Sequence, residues 1–306
     1  MDKNKTKDIY ASIRAKLKNI AVKSGRDFDA VLLQYFQERF LYRISVSEYK
    51  DNFVLKGALL LMVKSVSPFR PTKDVDFLGK GIDANPENLK SIVKKLAQVQ
   101  CEDSVDFVEE SIVATTIKEG AEYEGVRVKI EARLGAIKKI LSLDIGFGDT
   151  LLGNIEEFDF PVLLNFPIPK VKCYPYESII AEKFQAIVWL NFQTSRMKDF
   201  FDIIFLANVG SFQASRLKEA LIITFSRRNT SLSLRKVVFS EEYKMDKSKQ
   251  RQWSAFLRKH HLIAEPKFRL IIDRLENFLE PILGITFNEI ENYIWDNERW
   301  QWKINA

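Results

Sequence analysis

The sequence predicts an α+β protein: a mixed β-sheet core with flanking helices, followed by a mainly helical C-terminal domain. Three observations carry that expectation. Residues 124–134, EGVRVKIEARL, and 139–149, KILSLDIGFGD, alternate apolar and polar side chains, the period-two signature of half-buried strands. Before them, residues 8–24 and 27–43 repeat apolar side chains at helical spacing. After residue 174 the apolar positions recur at three- and four-residue intervals, which favours helices for the remainder. The expected division is 1–160 for the N-terminal helices and sheet core, and 161–306 for a helical, partly basic domain.

In chain order, Ile9, Ile13, Leu17 and Ile20/Ala21 form the stripe of a first helix that Gly25 ends. Asp27 or Asp29 starts a second, which buries Val31, Leu32, Tyr35, Phe36, Phe40 and Leu41. Residues 53–63 read as a short apolar strand, a small-residue turn at Gly57-Ala58, and an apolar helix. A strand bearing Asp74-Val75-Asp76 follows, then a helix opened by Asn85-Pro86 and a strand over 105–117. Residues 150–174, with Pro161, Pro167 and Pro169, lack a sustained period and read as an irregular crossing. Beyond it, Ile179, Ile180, Phe184, Ile187 and Val188 form a helical stripe, and Thr194-Ser195 caps the next helix.

Chemistry concentrates at Asp74 and Asp76. Alternate residues of a strand share a face, so these carboxylates project together while Val75 and Phe77 face a core. Two adjacent carboxylates repel unless a cation lies between them, and Mg²⁺ is commonly held by one or two carboxylates plus substrate phosphates. A solvent-facing edge strand is the plainer alternative. Lys56 and the free N–H groups of the Gly57 turn precede the pair and suit phosphate. On the 139–149 strand, Ser142 and Asp144 share the polar face; Asp144 is the candidate third carboxylate, with Glu131 a weaker competitor. Lys183 lies on an apolar helix stripe, so it must either snorkel or meet an anion. Arg196, Asp199 and Asp202 recur every third residue and read either as a surface ladder or as part of a site.

The 306-residue chain is 46% hydrophobic and carries net charge +6, with only Cys101 and Cys173 as cysteines. No apolar run spans a bilayer, the charged N-terminus is no secretory signal, and two cysteines build no disulfide framework, so a cytoplasmic setting without membrane partners is expected. Residues 211–274 hold fifteen Lys/Arg against six Asp/Glu, while residues 51–210 hold nineteen against twenty-three. The basic segment, including Arg227 and Arg228, is either a solvated helical surface or a platform for RNA phosphates. His260 and His261 lack metal-ligand spacing, and Trp253 suits a core better than base stacking.

The stretches LKGALLL, RPTKDVDFLG and LDIGFGD, with the later AEK and SRMKDFFD, resemble the AbiEii/AbiGii-type toxin nucleotidyltransferases from about residue 8 to about residue 280. Many members have a second Gly and then Thr or Ser in the turn, where this chain has Ala58 and Leu59. The resemblance implies a nucleotidyltransferase-like core, Mg²⁺ (or Mn²⁺), and transfer of NMP from an NTP to RNA, such as a tRNA 3′ end. It also implies a bacterial toxin–antitoxin or phage abortive-infection role with an antitoxin from a neighbouring gene. By that carry-over Asp74, Asp76 and Asp144 hold metal, and Lys183 and Asp199 join them in catalysis. Lys56, Gly57, Thr72, Lys183, Arg196 and Asp202 would bind nucleotide in a cleft between the domains. A non-catalytic nucleotide- or RNA-binding regulator, and a protein-modifying transferase, are the alternatives.

Overall fold

Helix α1, Lys3–Ser24, ends at Gly25 (φ +65°), and α2, Phe28–Ser45, begins where the Asp27 carboxylate accepts from the Ala30 N–H. The computed structural model describes residues 3–64, 72–119, 123–148, 155–284 and 290–305. Arg70 and Pro71 of the Asp-x-Asp motif, and Asp149, lie outside them. The chain divides into two compact units, 1–150 with 155–174, and 151–154 with 175–306.

The first unit is built on a seven-stranded mixed sheet of order β3-β4-β5-β2-β1-β7-β6. Its strands are β1 (Phe53–Leu55), β2 (Asp74–Gly79), β3 (Asp106–Glu119), β4 (Tyr123–Leu134), β5 (Ile137–Gly146), β6 (Glu156–Asp159) and β7 (Lys170–Cys173). β2 runs parallel to β5 and antiparallel to β1, so two chain-distant strands lie side by side at its centre. Pairing puts Val75, Phe77, Leu143, Ile145, Val126 and Val128 on one buried face, against which α2 and α4 (Pro86–Ala97) pack. The other face is polar.

Residues 155–174, the described part of the expected irregular crossing, carry two strands. β7 pairs in parallel with β1, and β6 pairs with β7. Four-residue strands are too short to show a period, and the three prolines fall in the connection between them, where no ladder bond is lost. The long continuous run of the second unit starts at Pro175.

That unit packs α5 (Tyr176–Leu190), α6 (Met197–Val209), α7 (Ala214–Arg227), α8 (Arg235–Val238), α9 (Glu241–Lys244), α10 (Lys247–His260) and α11 (Phe268–Gly284). Phe184, Phe200, Phe225 and Trp253 are fully buried within it. Trp253 is thus a core residue whose indole N–H donates to the Glu265 carbonyl. A terminal hairpin, β8 (Tyr293–Asp296) and β9 (Gln301–Ile304), completes the mainly helical unit and is anchored by the Trp295 indole on the Ala207 carbonyl.

Candidate active site on the polar face of the sheet

The polar face is organised by register. Asp76 on β2 lies opposite Asp144 on β5, which lies opposite Arg127 on β4; Asp74 lies opposite Ser142. On the other side of β2 the Lys56 N–H donates to the Asp76 carbonyl at 2.8 Å. A transverse row therefore runs from Lys56, the residue after β1, across Asp76, Asp144 and Arg127 on three adjoining strands, with a cation at each end and carboxylates between.

Asp74 and Asp76 share this face as the alternation requires, and Val75 and Phe77 are buried behind them. Gly57 adopts φ +64°, and a Cβ built there would stand 1.9 Å from Asp76 Oδ2. The Asp76 carboxylate thus occupies space that only glycine leaves open, and glycine also accepts this backbone without strain. The helix after the turn is short: α3, Gly57–Leu60, followed by a 3₁₀ turn over Leu61–Lys64. Lys56 Nζ sits 4.5 Å from the centre of the Tyr174 ring, a cation–π contact that steadies the ammonium, and the Tyr174 N–H donates to the Leu55 carbonyl. The Thr72 hydroxyl donates to the Asp74 carbonyl at 3.2 Å. The carbonyls of Thr72 and Lys73 accept from Gln37 Nε2 of α2, which fixes the entry to β2.

Asp144, the expected third carboxylate, lies opposite Asp76 on the same face and is paired with Arg127. Arg127 Nε and Nη2 donate to its two oxygens at 2.7 and 2.5 Å, a bidentate pair that occupies both. That hydrogen bond, together with the charges of Asp144, Asp74 and Asp76, holds the guanidinium well above its ordinary pKa despite partial burial. Among the described residues no three His, Cys, Asp or Glu side chains converge as a metal site. The Asp74/Asp76 pair alone fits a Mg²⁺-type ion, since two hard oxygen donors on one strand, with one wedged against Gly57, leave the other positions to phosphate and water. Glu131 is taken up by Arg133 and Lys138.

In the second unit α5 and α6 bring Lys183, Asp199 and Asp202 together. Lys183 Nζ lies 2.9 Å from Asp199 Oδ1 and 2.7 Å from Asp202 Oδ2, and both carboxylates are fully buried. The anion that the Lys183 position requires is therefore supplied by the chain itself. The Asp199/Asp202 face is not a surface ladder, because α6 turns it inward. Arg196, half exposed, adds an ion pair to Asp199 Oδ2 at 2.6 Å. Burial would raise the Asp199 pKa, but Lys183 and Arg196 together hold it below the usual carboxylate value. Thr194 turns its hydroxyl to the Arg196 N–H, and α6 itself starts at Met197.

The basic segment is less free than its count suggests. Arg228 donates to Gln185 and approaches Glu182, Arg235 pairs with Glu280, and Lys244 with Asp273 and Glu276. Lys249 is buried against the Phe192 and Thr194 carbonyls, and burial lowers its pKa. Arg227 is half-buried. The exposed cations gather instead on α10, where Lys247, Arg251 and Arg258 fall within about 40° of helical arc and Lys259 flanks them.

Sequence reasoning missed Arg127, Tyr174 and Gln37. Arg127 was recoverable in principle, since the alternation of 124–134 places it on the polar face, but only the β4–β5 register sets it against Asp144.

No curated protein matches the chain. Among solved structures it is similar to JHP933 from Helicobacter pylori, at 14% identity over 83% of this chain and 92% of that one, TM-score 0.48. A second Helicobacter pylori structure, of a protein described as a nucleotidyltransferase, is 15% identical over 83% of this chain and 95% of that one, TM-score 0.46. Residues 39–280, well over half of the chain, match the profile described as nucleotidyl transferase AbiEii toxin, Type IV TA system, and the chain belongs to that family.

Proposed function

We propose that this member is an active nucleotidyltransferase toxin that moves NMP from an NTP to an RNA acceptor, a tRNA 3′ end, in the cytoplasm, and that an antitoxin from a neighbouring gene restrains it. The observation that carries the reading is the Asp74/Asp76 pair on the open face of β2, with Asp76 wedged against Gly57 and Lys56 just past the end of the adjoining strand. Asp74 and Asp76 would hold Mg²⁺ or Mn²⁺. When bound, such an ion supplies charge for the phosphoryl oxygens and lowers the pKa of the attacking hydroxyl. Lys56, steadied over the Tyr174 ring, neutralises triphosphate charge beside the carboxylates. Gly57 keeps the Asp76 carboxylate in place, and Gln37 fixes the start of the strand that carries both aspartates.

Lys183, Asp199 and Arg196 serve the same reaction by family carry-over. Support for this is their convergence with Asp202 in one buried charge cluster. Because Asp199 and Asp202 neutralise Lys183, its phosphate contact would be made by an ammonium already oriented by two carboxylates. The exposed α10 stripe, rather than Arg227 and Arg228, is the better platform for RNA phosphates.

The experiment is to incubate the full chain with each labelled NTP, Mg²⁺ and total RNA and to locate the label. Label at tRNA 3′ ends supports the reading. Label on protein identifies a protein-modifying transferase, and none on either contradicts catalysis.

A further inference from the structure

The guanidinium of Arg127 sits at the far end of the charged row from Lys56, and the expected function does not use it. Arg127 gives Nε and one Nη2 hydrogen to Asp144. Its Nη1 has no hydrogen-bond partner among the described residues, and the side chain is 36% exposed against 11% for Asp144. An arginine held along one edge by a carboxylate keeps its end-on edge, Nη1 and the second Nη2 hydrogen, in a fixed orientation. That planar fork matches two oxygens of a phosphate.

The row's length says which phosphate. Asp76, Asp144 and Arg127 occupy successive positions across β2, β5 and β4, and Lys56 follows the last residue of β1 on the other side of β2, so the backbone positions at the two ends are about three strand spacings, about 14 Å, apart. A triphosphate lying beside Lys56 and the Asp74/Asp76 pair is centred at the β1–β2 end of the row, away from β4. The second cation is thus placed for the second phosphate-bearing substrate. We propose that Arg127 binds a backbone phosphate of the RNA acceptor next to the attacking hydroxyl. Asp144 is its positioning residue, orienting the guanidinium instead of coordinating metal. This rests on the transferase reading above and adds to it the acceptor side of the site. Lys129, two residues along β4 on the same face and exposed, adds a second positive charge to that part of the face.

The test uses the full chain as wild type, Arg127→Gln, Arg127→Lys and Asp144→Asn. Unfractionated tRNA is the RNA probe, with the NTP that wild type uses and Mg²⁺. Arg127→Gln should raise the tRNA KM by about tenfold, leave the NTP KM unchanged, and lower the slope of log binding constant against log salt by about one. Arg127→Lys should keep the charge and salt slope but recover only part of the KM. Asp144→Asn should shift the tRNA KM in the same direction without altering the Mg²⁺ concentration needed for half-maximal rate. A raised NTP KM in Arg127→Gln, or an unchanged tRNA KM, would overturn the assignment. A shifted Mg²⁺ requirement in Asp144→Asn would return that residue to the metal. If wild type labels no RNA with any NTP, the transferase reading fails by itself. Fluorescence anisotropy of labelled tRNA then decides Arg127 independently: equal affinity and salt slope in wild type and Arg127→Gln overturn the proposal, and a loss of both upholds it.

Discussion

Single residues set the strictest constraints. Gly57 is the sharpest case, because both its left-handed backbone and the Asp76 oxygen 1.9 Å from a hypothetical Cβ exclude a side chain. Gly57→Ala should displace the Asp76 carboxylate and cost about 10²-fold in transfer rate. Gly25→Ala shares the positive φ but meets nothing within 4 Å, so it should cost only about 1 kcal/mol of stability and no activity. Equal activity in the two variants would refute the wedge. Lys183 gives a second prediction. Removing its ammonium leaves Asp199 and Asp202 buried and uncompensated, so Lys183→Met should lose about 3–5 kcal/mol at neutral pH. The Asp199 pKa is depressed in the folded state, so its stabilising contribution is present above the unfolded value and is lost as pH falls through the folded one. The penalty of Lys183→Met should therefore shrink in acid, as chemical denaturation at pH 7 and pH 3 would show. At this scale the sequence was partly legible. Helical spacing flagged Lys183 as a cation in need of an anion, but a one-dimensional period cannot say that α6 supplies it.

At the scale of elements, α2 shows what amphipathic patterning leaves out. Its apolar stripe was readable, yet Gln37, Glu38, Arg39 and Arg43 are buried too, because the helix has sheet and loop on more than one side. Arg43 forms a bidentate pair with Asp103, Arg39 donates to the Pro167 carbonyl, and Glu38 accepts from the Leu163 N–H. These bonds tie the β6–β7 connection to the helix, which is why that proline-bearing stretch is ordered without a pattern of its own. Burial pushes the Glu38 carboxyl up to about 8, against the lowering effects of the Leu163 N–H and Arg39. A raised carboxyl pKa makes the folded state bind the extra proton. Its contribution is then fully present below the unfolded value, near 4.5, and is lost as pH rises toward about 8. Thermal midpoints should fall between pH 5 and pH 9 in wild type and fall less in Glu38→Gln; parallel curves would show that Glu38 does not titrate there. The strands of β4 and β5 were readable from alternation alone, whereas β6, β7 and the terminal hairpin are four-residue strands defined by their partners.

Across the whole molecule, charge is divided between a sheet face that carries paired carboxylates and a helical unit with a cationic stripe. Composition revealed the asymmetry but misassigned its agents, since Arg228, Arg235, Lys244 and Lys249 satisfy internal carboxylates and carbonyls. Lys247→Glu with Arg251→Glu should weaken tRNA binding and flatten its salt dependence, while leaving NTP binding intact. Unaltered tRNA affinity would mean that the stripe is only solvated. The central claim is that Asp74 and Asp76 form the metal–phosphate centre. It is tested most directly by the rate of labelled NMP transfer across a Mg²⁺ titration in wild type and Asp76→Asn, with thermal midpoints measured alongside. The account predicts that chelation abolishes wild-type transfer, and that Asp76→Asn loses at least about 10²-fold at every Mg²⁺ concentration with its midpoint preserved. Transfer by Asp76→Asn at the wild-type rate, with the same Mg²⁺ requirement, would contradict it.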